Sequence, residues 1–465
     1  MSDRSVFLFP GLGAYSSNVL REARRSYPLV GELFAEIDAT AAEYGVPPVS
    51  DVLFGPREAS IKELLENQAE LLQLAIFGAS VATHRILVQE GADPFLLVGH
   101  SFGEMAALVC AGAFDLADGV RLVCARTEAL RPWEGLGAMA AIGANEAVVK
   151  HLIGLVEEPD LVIGCANAPQ QTVISGDTAA IMRAGEAAEA LGFFFARLNL
   201  PYASHHPSMQ AAVGDFMELM KPVRQRPLRR PVLSPIHGRR YHDGDDLKQA
   251  LADCLVLPVH FTDTVRTLHA QGCKKFVETG ALNALTRCVQ ATVPKVQTFA
   301  PLLDPAAETA QLRAAAEALR ARTTAKRVVT LTVPAAPPEA AVVAPVSVPL
   351  PVPVKADAIP AARVEEDVIQ QAATVSHNGD ARQSVLARLR ALYADALEYP
   401  ADILTENAAL EAELGVDSLK QTSLLTKVIE EFRLPDEPGG LRVWELANLG
   451  KIADHILSSA QGALR

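Results

Sequence analysis

Two serines in this sequence stand where a hydroxyl can be made reactive. Ser101 sits between glycines in the run Gly99-His-Ser-Phe-Gly-Glu104, directly after the apolar stretch Phe95-Leu-Leu-Val98. That order reads as a buried strand, a sharp turn and a helix. A turn of this kind needs strained backbone and close strand–helix approach, which side chains larger than glycine obstruct. The serine hydroxyl then lies at a helix N-terminus, where free amides and the positive end of the dipole favour an oxyanion. A Gly/Ser turn without chemistry carries the same letters. Ser418 closes Glu413-Leu-Gly-Val-Asp-Ser418 ahead of a further helical pattern. A serine exposed there suits a phosphodiester, or else simply caps the helix.

A serine nucleophile needs a base, and His205 and His206 stand together after Tyr202-Ala-Ser204. The residues alone do not choose between the two rings, and no carboxylate stands out to orient either. Arg126 lies in a helical run over residues 120–130. It is either a solvated helix-surface arginine or, turned inward, a planar fork able to hold a free carboxylate through two hydrogen bonds.

Several of these features, in this order, resemble the malonyl-CoA:acyl carrier protein transacylases and the acyltransferase domains of polyketide synthases. Gly99–Glu104 matches that family's GHSxGE signature, Phe9-Pro-Gly-Leu-Gly13 is similar to its FPGxG loop, and Tyr202-Ala-Ser-His205 is similar to its histidine motif. Gln73, Arg126 and Asn167 fall at matching places, so the resemblance covers nearly all of residues 5–300. It implies that Ser101 attacks an acyl thioester with His205 as general base and acid. The amides of Leu12 and Phe102 would form the oxyanion hole, with Leu12 replacing the family's usual glutamine. Arg126, Gln73, Asn167, Tyr202 and Ser204 would contact substrate, and a backbone carbonyl near Cys254 would orient the imidazole. The donor implied is an acyl-CoA of the malonyl type. The YASH motif, with small Ser204, resembles methylmalonyl-selective members, although Phe102 departs from the glutamine often found beside their nucleophile. A single methylene discriminates by only about 1–3 kcal/mol.

The C-terminal motif resembles that of acyl carrier proteins, which implies a covalent 4'-phosphopantetheine on Ser418 attached by a phosphopantetheinyl transferase. The partners implied are its own and other carrier proteins and the ketosynthase modules of a polyketide synthase. Three other readings remain: an editing thioesterase, a transferase taking its acyl group from a carrier-bound donor, and a degenerate fold serving as a scaffold.

The elements that would position these residues are marked by the patterning. Residues 5 to about 320 alternate short apolar runs with longer helical stretches, the signature of an α/β domain with a largely parallel sheet. The family resemblance specifies an α/β-hydrolase-like core over residues 1–322 with a small ferredoxin-like insertion at about 137–200. The insertion shows strand-like pieces at 138–142 and 171–175 and helical patterns at 146–155 and 178–191. Residues 323–381 are rich in Pro, Ala and Val without periodicity and read as a flexible tether. About 55 such residues have a root-mean-square span of roughly 40 Å. Residues 382–465 return to helical periodicity, as expected of a four-helix carrier bundle.

A length of 465 residues exceeds a single core. A formal net charge of -13, with basic residues scattered, excludes a nucleic-acid grip. Six cysteines fall singly in apolar runs without metal-ligand spacing and read as reduced core residues. No stretch is expected to approach the ~20 apolar residues of a membrane span. A soluble cytoplasmic protein is therefore expected.

Overall fold

The computed structural model describes residues 4–56, 59–320, 378–397 and 448–462, with scattered positions between 406 and 432. The chain divides into two compact units, Met1–Arg322 and Thr323–Arg465. The strands described are β1 (Arg4–Phe9), β2 (Leu96–Gly99), β3 (Ala138–Ile142), β4 (Val162–Ala168), β5 (Gln171–Gly176), β6 (Phe195–Arg197), β7 (Val232–Ser234), β8 (Arg239–Arg240), β9 (Cys273–Glu278) and β10 (Gln297–Phe299).

Six of them form the main sheet in the order β10-β9-β1-β2-β7-β8. Every pairing is parallel except the edge pair β7–β8. Strand β1 shows why the sheet is central. Phe7 and Phe9 enter one apolar core while Val6 and Leu8 enter the other, and all four are fully buried. A strand covered on both faces must be apolar at every position, which is what the run 6–9 provides. The pairing of Phe9 with Gly99 brings the carboxyl ends of β1 and β2 side by side. In open parallel sheets, this is the edge where ligands bind.

The helix Ala69–Gln89 corrects one expectation. Within its 21 residues an 18-residue stretch has a mean hydropathy of 1.5, long and apolar enough by length and composition to cross a membrane. Here 89% of its apolar window is buried within the fold, so its apolarity is that of a core helix. Gly78 permits this packing, since a Cβ there would stand 2.7 Å from the Phe34 ring.

The insertion contains both expected strands and both helices, now Glu146–Val156 and Thr178–Ala190. It adds β4 and β6, giving an antiparallel sheet in the order β4-β5-β3-β6, the ferredoxin-like arrangement. Strand β4 is laced to the main domain by Ala166 N–H to Val259 O at 2.8 Å and Val259 N–H to Gly164 O at 2.9 Å. The six cysteines are all free thiols, five buried and Cys110 half-buried.

In the second unit the helices Asn378–Leu397 and Leu449–Gly462 are described. Leu386, Leu389 and Tyr393 of the first pack with Leu449, Ile452 and Ile456 of the second and with Leu410, Leu424, Leu425 and Val428. The full four-helix arrangement lies partly outside the described residues; of the expected tether over 323–381, residues 378–381 instead begin the first helix, and the rest lie outside the described residues.

Candidate active site

Ser101 follows β2 directly and precedes the helix Gly103–Cys110. Its φ is 54°, the left-handed region that costs a non-glycine residue energy. The flanking glycines are required by contact. A Cβ on Gly99 would stand 2.3 Å from Glu104 Cα, and one on Gly103 would stand 2.0 Å from Phe9 O. The turn thus brings the helix onto β1 and β2 and leaves the hydroxyl half-exposed at the sheet's carboxyl edge.

Ser101 Oγ lies 2.7 Å from His205 Nε2. His205 is 2% exposed and also holds a positive φ, 59°. Its Nδ1–H donates to Leu257 O at 2.8 Å, which leaves Nε2 as the acceptor facing the serine. This partner narrows the carbonyl expected near Cys254 to that of Leu257. The Leu247–Asp253 helix has just ended there, and the turn after it presents Leu255 O to His205 N–H at 2.8 Å and Leu257 O to the ring. Burial pushes the His205 pKa down to about 4, helped by the charges of His100 and Arg126 and opposed by the Leu257 bond. The ring is therefore a neutral base at pH 7. His206 turns elsewhere: it meets Asp160 O through Nε2, and Ser208 N–H and Oγ through Nδ1.

Arg126, on the helix Leu116–Leu130, is 4% exposed, so the solvated reading fails. Its Nη1 donates to Gln73 Oε1 at 2.8 Å, and its guanidinium lies 5.4 Å from the centre of the Phe102 ring. No carboxylate pairs with it among the described residues. A buried, unneutralised guanidinium is costly unless an anion comes to it. Gln73, Leu12 and Tyr202 line a small, largely apolar cavity with Leu72 and Leu130.

The amides of Leu12 and Phe102 donate to no backbone acceptor among the described residues. Asn167 Oδ1 accepts from His100 Nε2 at 2.7 Å, and the His100 ring stands edge-on to Phe261. Ser204 is buried with its hydroxyl unpartnered, and its carbonyl accepts from Ser175 Oγ at 2.7 Å. His100, Glu104 and Leu257 carried no assigned role in the sequence. The first two lie inside the glycine motif, but what they touch is remote in the chain. Leu257 acts through its carbonyl, which no side-chain pattern reports.

A serine–imidazole pair at hydrogen-bond distance, two free amides beside it and a buried cation nearby form a site for acyl transfer through an ester. Residues 6–328 match the acyl transferase domain family, and the chain belongs to it. It is an acyltransferase, and residues 387–456 match the phosphopantetheine attachment site family. The chain is 36% identical over 315 residues to the malonyl CoA-acyl carrier protein transacylase of Escherichia coli K12, covering 66% of this chain and 98% of that protein. It is 30% identical over 285 residues to polyketide synthase GfsA of Streptomyces halstedii, covering 61% of this chain and 4% of that much longer protein. Among solved structures, the malonyl CoA-acyl carrier protein transacylase of Coxiella burnetii superposes with a TM-score of 0.62 at 29% identity, over 69% of this chain and 99% of that one.

The second unit carries the covalent 4'-phosphopantetheine its family implies. Ser418 itself lies outside the described residues. Leu424, Leu425 and Val428 are helical and buried in the small core.

Proposed function

We propose that this protein loads malonyl-type acyl groups onto its own carrier domain in two steps. Ser101 Oγ attacks the thioester carbonyl of an acyl-CoA while His205 Nε2 takes the hydroxyl proton. The amides of Leu12 and Phe102 hold the oxyanion. Collapse breaks the C–S bond, and His205 returns its proton to the departing CoA thiolate. When bound at Ser418, the phosphopantetheine supplies the thiol that receives the acyl group. In that half-reaction His205 removes the incoming thiol's proton and protonates Ser101 Oγ as the ester bond breaks.

The observation that carries this reading is the 2.7 Å Ser101–His205 contact beside the unneutralised Arg126. The guanidinium is a seat for the second carboxylate of a dicarboxylic acyl group. The transacylase relatives, named for malonyl-CoA and acyl carrier protein, support the same donor class. A small 2-substituent, methyl foremost, is favoured by the short Ser204 side chain in the Tyr202–His205 motif. The similarity to polyketide synthases supports delivery of the loaded carrier to a ketosynthase module, after activation by a phosphopantetheinyl transferase.

The test is competition of malonyl-, methylmalonyl- and larger acyl-CoAs for the phosphopantetheinylated protein, read as the mass added to the Ser418 peptide. Methylmalonate on that peptide is the expected product. Release of free acid without mass gain would instead establish a thioesterase.

A further inference from the structure

Glu104 lies three residues after the nucleophile, in the first turn of its helix, with no exposure to solvent. Its backbone N–H donates to Ser101 O at 2.9 Å. Its carboxylate accepts from Ser234 Oγ at 2.5 Å and Tyr241 OH at 2.8 Å, with a weaker contact from Cys254 Sγ at 3.7 Å. Ser234 Oγ already accepts from the Ile236 and His237 amides, so its own proton goes to Glu104.

The other fully buried glutamates are placed differently. Glu278 accepts from Leu285 and Thr286 at the start of one helix, and Glu308 from Leu20, Glu22 and Ala23 at another turn. Each satisfies one local set of backbone amides. Glu104 meets side chains from three separate segments: it accepts from hydroxyls at the end of β7 and just after β8, and touches the Cys254 thiol, which also faces Ala250 O at 3.5 Å, in the turn after the helix Leu247–Asp253.

The third segment matters because the residues just beyond Cys254 hold the catalytic imidazole. Leu255 O accepts from the His205 amide and Leu257 O from His205 Nδ1–H. The contacts therefore close a ring: Ser101 to Glu104, Glu104 to Cys254, the Cys254–Leu257 turn to His205, and His205 Nε2 back to Ser101 Oγ. A fully desolvated carboxylate is expensive, and an apolar residue would pack the same helix without that cost.

We propose that Glu104 is a positioning residue for the Ser101–His205 pair, fastening the nucleophile helix to the turn whose carbonyls aim the imidazole. Glu104 touches neither reacting atom. It sets the register between two groups that are 104 residues apart in the chain.

The inference rests on the acyl-transfer role of Ser101 and His205, and Ser101→Ala separates the two. If Ser101→Ala still acylates Ser418, the transfer reading itself fails. With Ser101→Ala inactive, Glu104→Gln tests the positioning role in the full-length holo protein. The expected result is a kcat lowered about tenfold to a hundredfold with KM for acyl-CoA within about twofold. The downfield proton resonance of His205 Nδ1–H should also broaden or vanish as its bond to Leu257 O loosens, which a change in global stability alone would not cause. A folded Glu104→Gln with normal kcat and an intact imidazole resonance overturns the proposal. If Glu104→Gln does not fold, Cys254→Ala removes the thiol through which Glu104 meets the turn and is judged by the same two measurements.

Discussion

At the scale of single residues, the site depends on two side chains whose burial changes their chemistry. Arg126 is a cation held in the interior with Gln73 as its hydrogen-bonding partner. Replacing it with alanine removes the seat for a distal carboxylate. The expected outcome is a fall of about a hundredfold in kcat/KM for malonyl-type donors, with acetyl-CoA affected far less, measured by acylation of Ser101 across the two donor classes. His205 shows the second effect. Because the charged ring is disfavoured by burial, its folded pKa stands at about 4 against an ordinary 6.5. A general base must be neutral, so the His205 limb of the pH profile should lie near 4, with activity lost as pH falls through it. Rapid-quench measurement of Ser101 acylation between pH 4 and 8 checks this; a His205 limb near 6.5 would mean that the ring is hydrated.

At the scale of elements, the nucleophile elbow and the histidine loop are both held in strained backbone. Ser101 at φ 54° and His205 at φ 59° occupy conformations that glycine adopts freely. Ser101→Gly should therefore be more stable than Ser101→Ala by about 1 kcal/mol, though both lack the hydroxyl, and chemical denaturation of the two variants measures the difference. The elements themselves are largely legible in the sequence. The strand, turn and helix around Ser101 are marked by an apolar run broken by two glycines, and two strands and both helices of the insertion by their periodicity. β6 is not legible, because its three residues are half-buried or exposed and carry no period. Nor is β4, since its pairing includes a bridge from Cys165 to Val259, almost a hundred residues away. The membrane-length apolarity of the helix Ala69–Gln89 is hidden too, because polar residues such as Gln73, Ser80, Thr83 and His84 interrupt an otherwise apolar stretch.

At the scale of the whole molecule, nucleophile and carrier belong to one chain, and that has a kinetic consequence. If the carrier loads from its own Ser101, the acyl-Ser101 to Ser418 step is unimolecular, with an effective concentration of order millimolar. The single-turnover rate of that step should then be unchanged when the protein is diluted about a hundredfold. A rate that falls in proportion to concentration would assign loading to a second molecule.

The sequence by itself determined the chemistry on offer: a serine in a glycine turn, a histidine in a matching motif, an arginine at a matching distance from the serine, and a second serine ahead of a helix. Those are local matters of residue type and spacing. Only the tertiary structure decided which histidine meets Ser101, that Arg126 points inward, that Leu257 is the residue near Cys254 whose carbonyl holds the imidazole, and that Glu104 joins the two halves of the site. Each of those is a contact between segments far apart in the chain. Such contacts depend on how the sheet brings β1 and β2 together and folds the later turns over them, which no local pattern encodes.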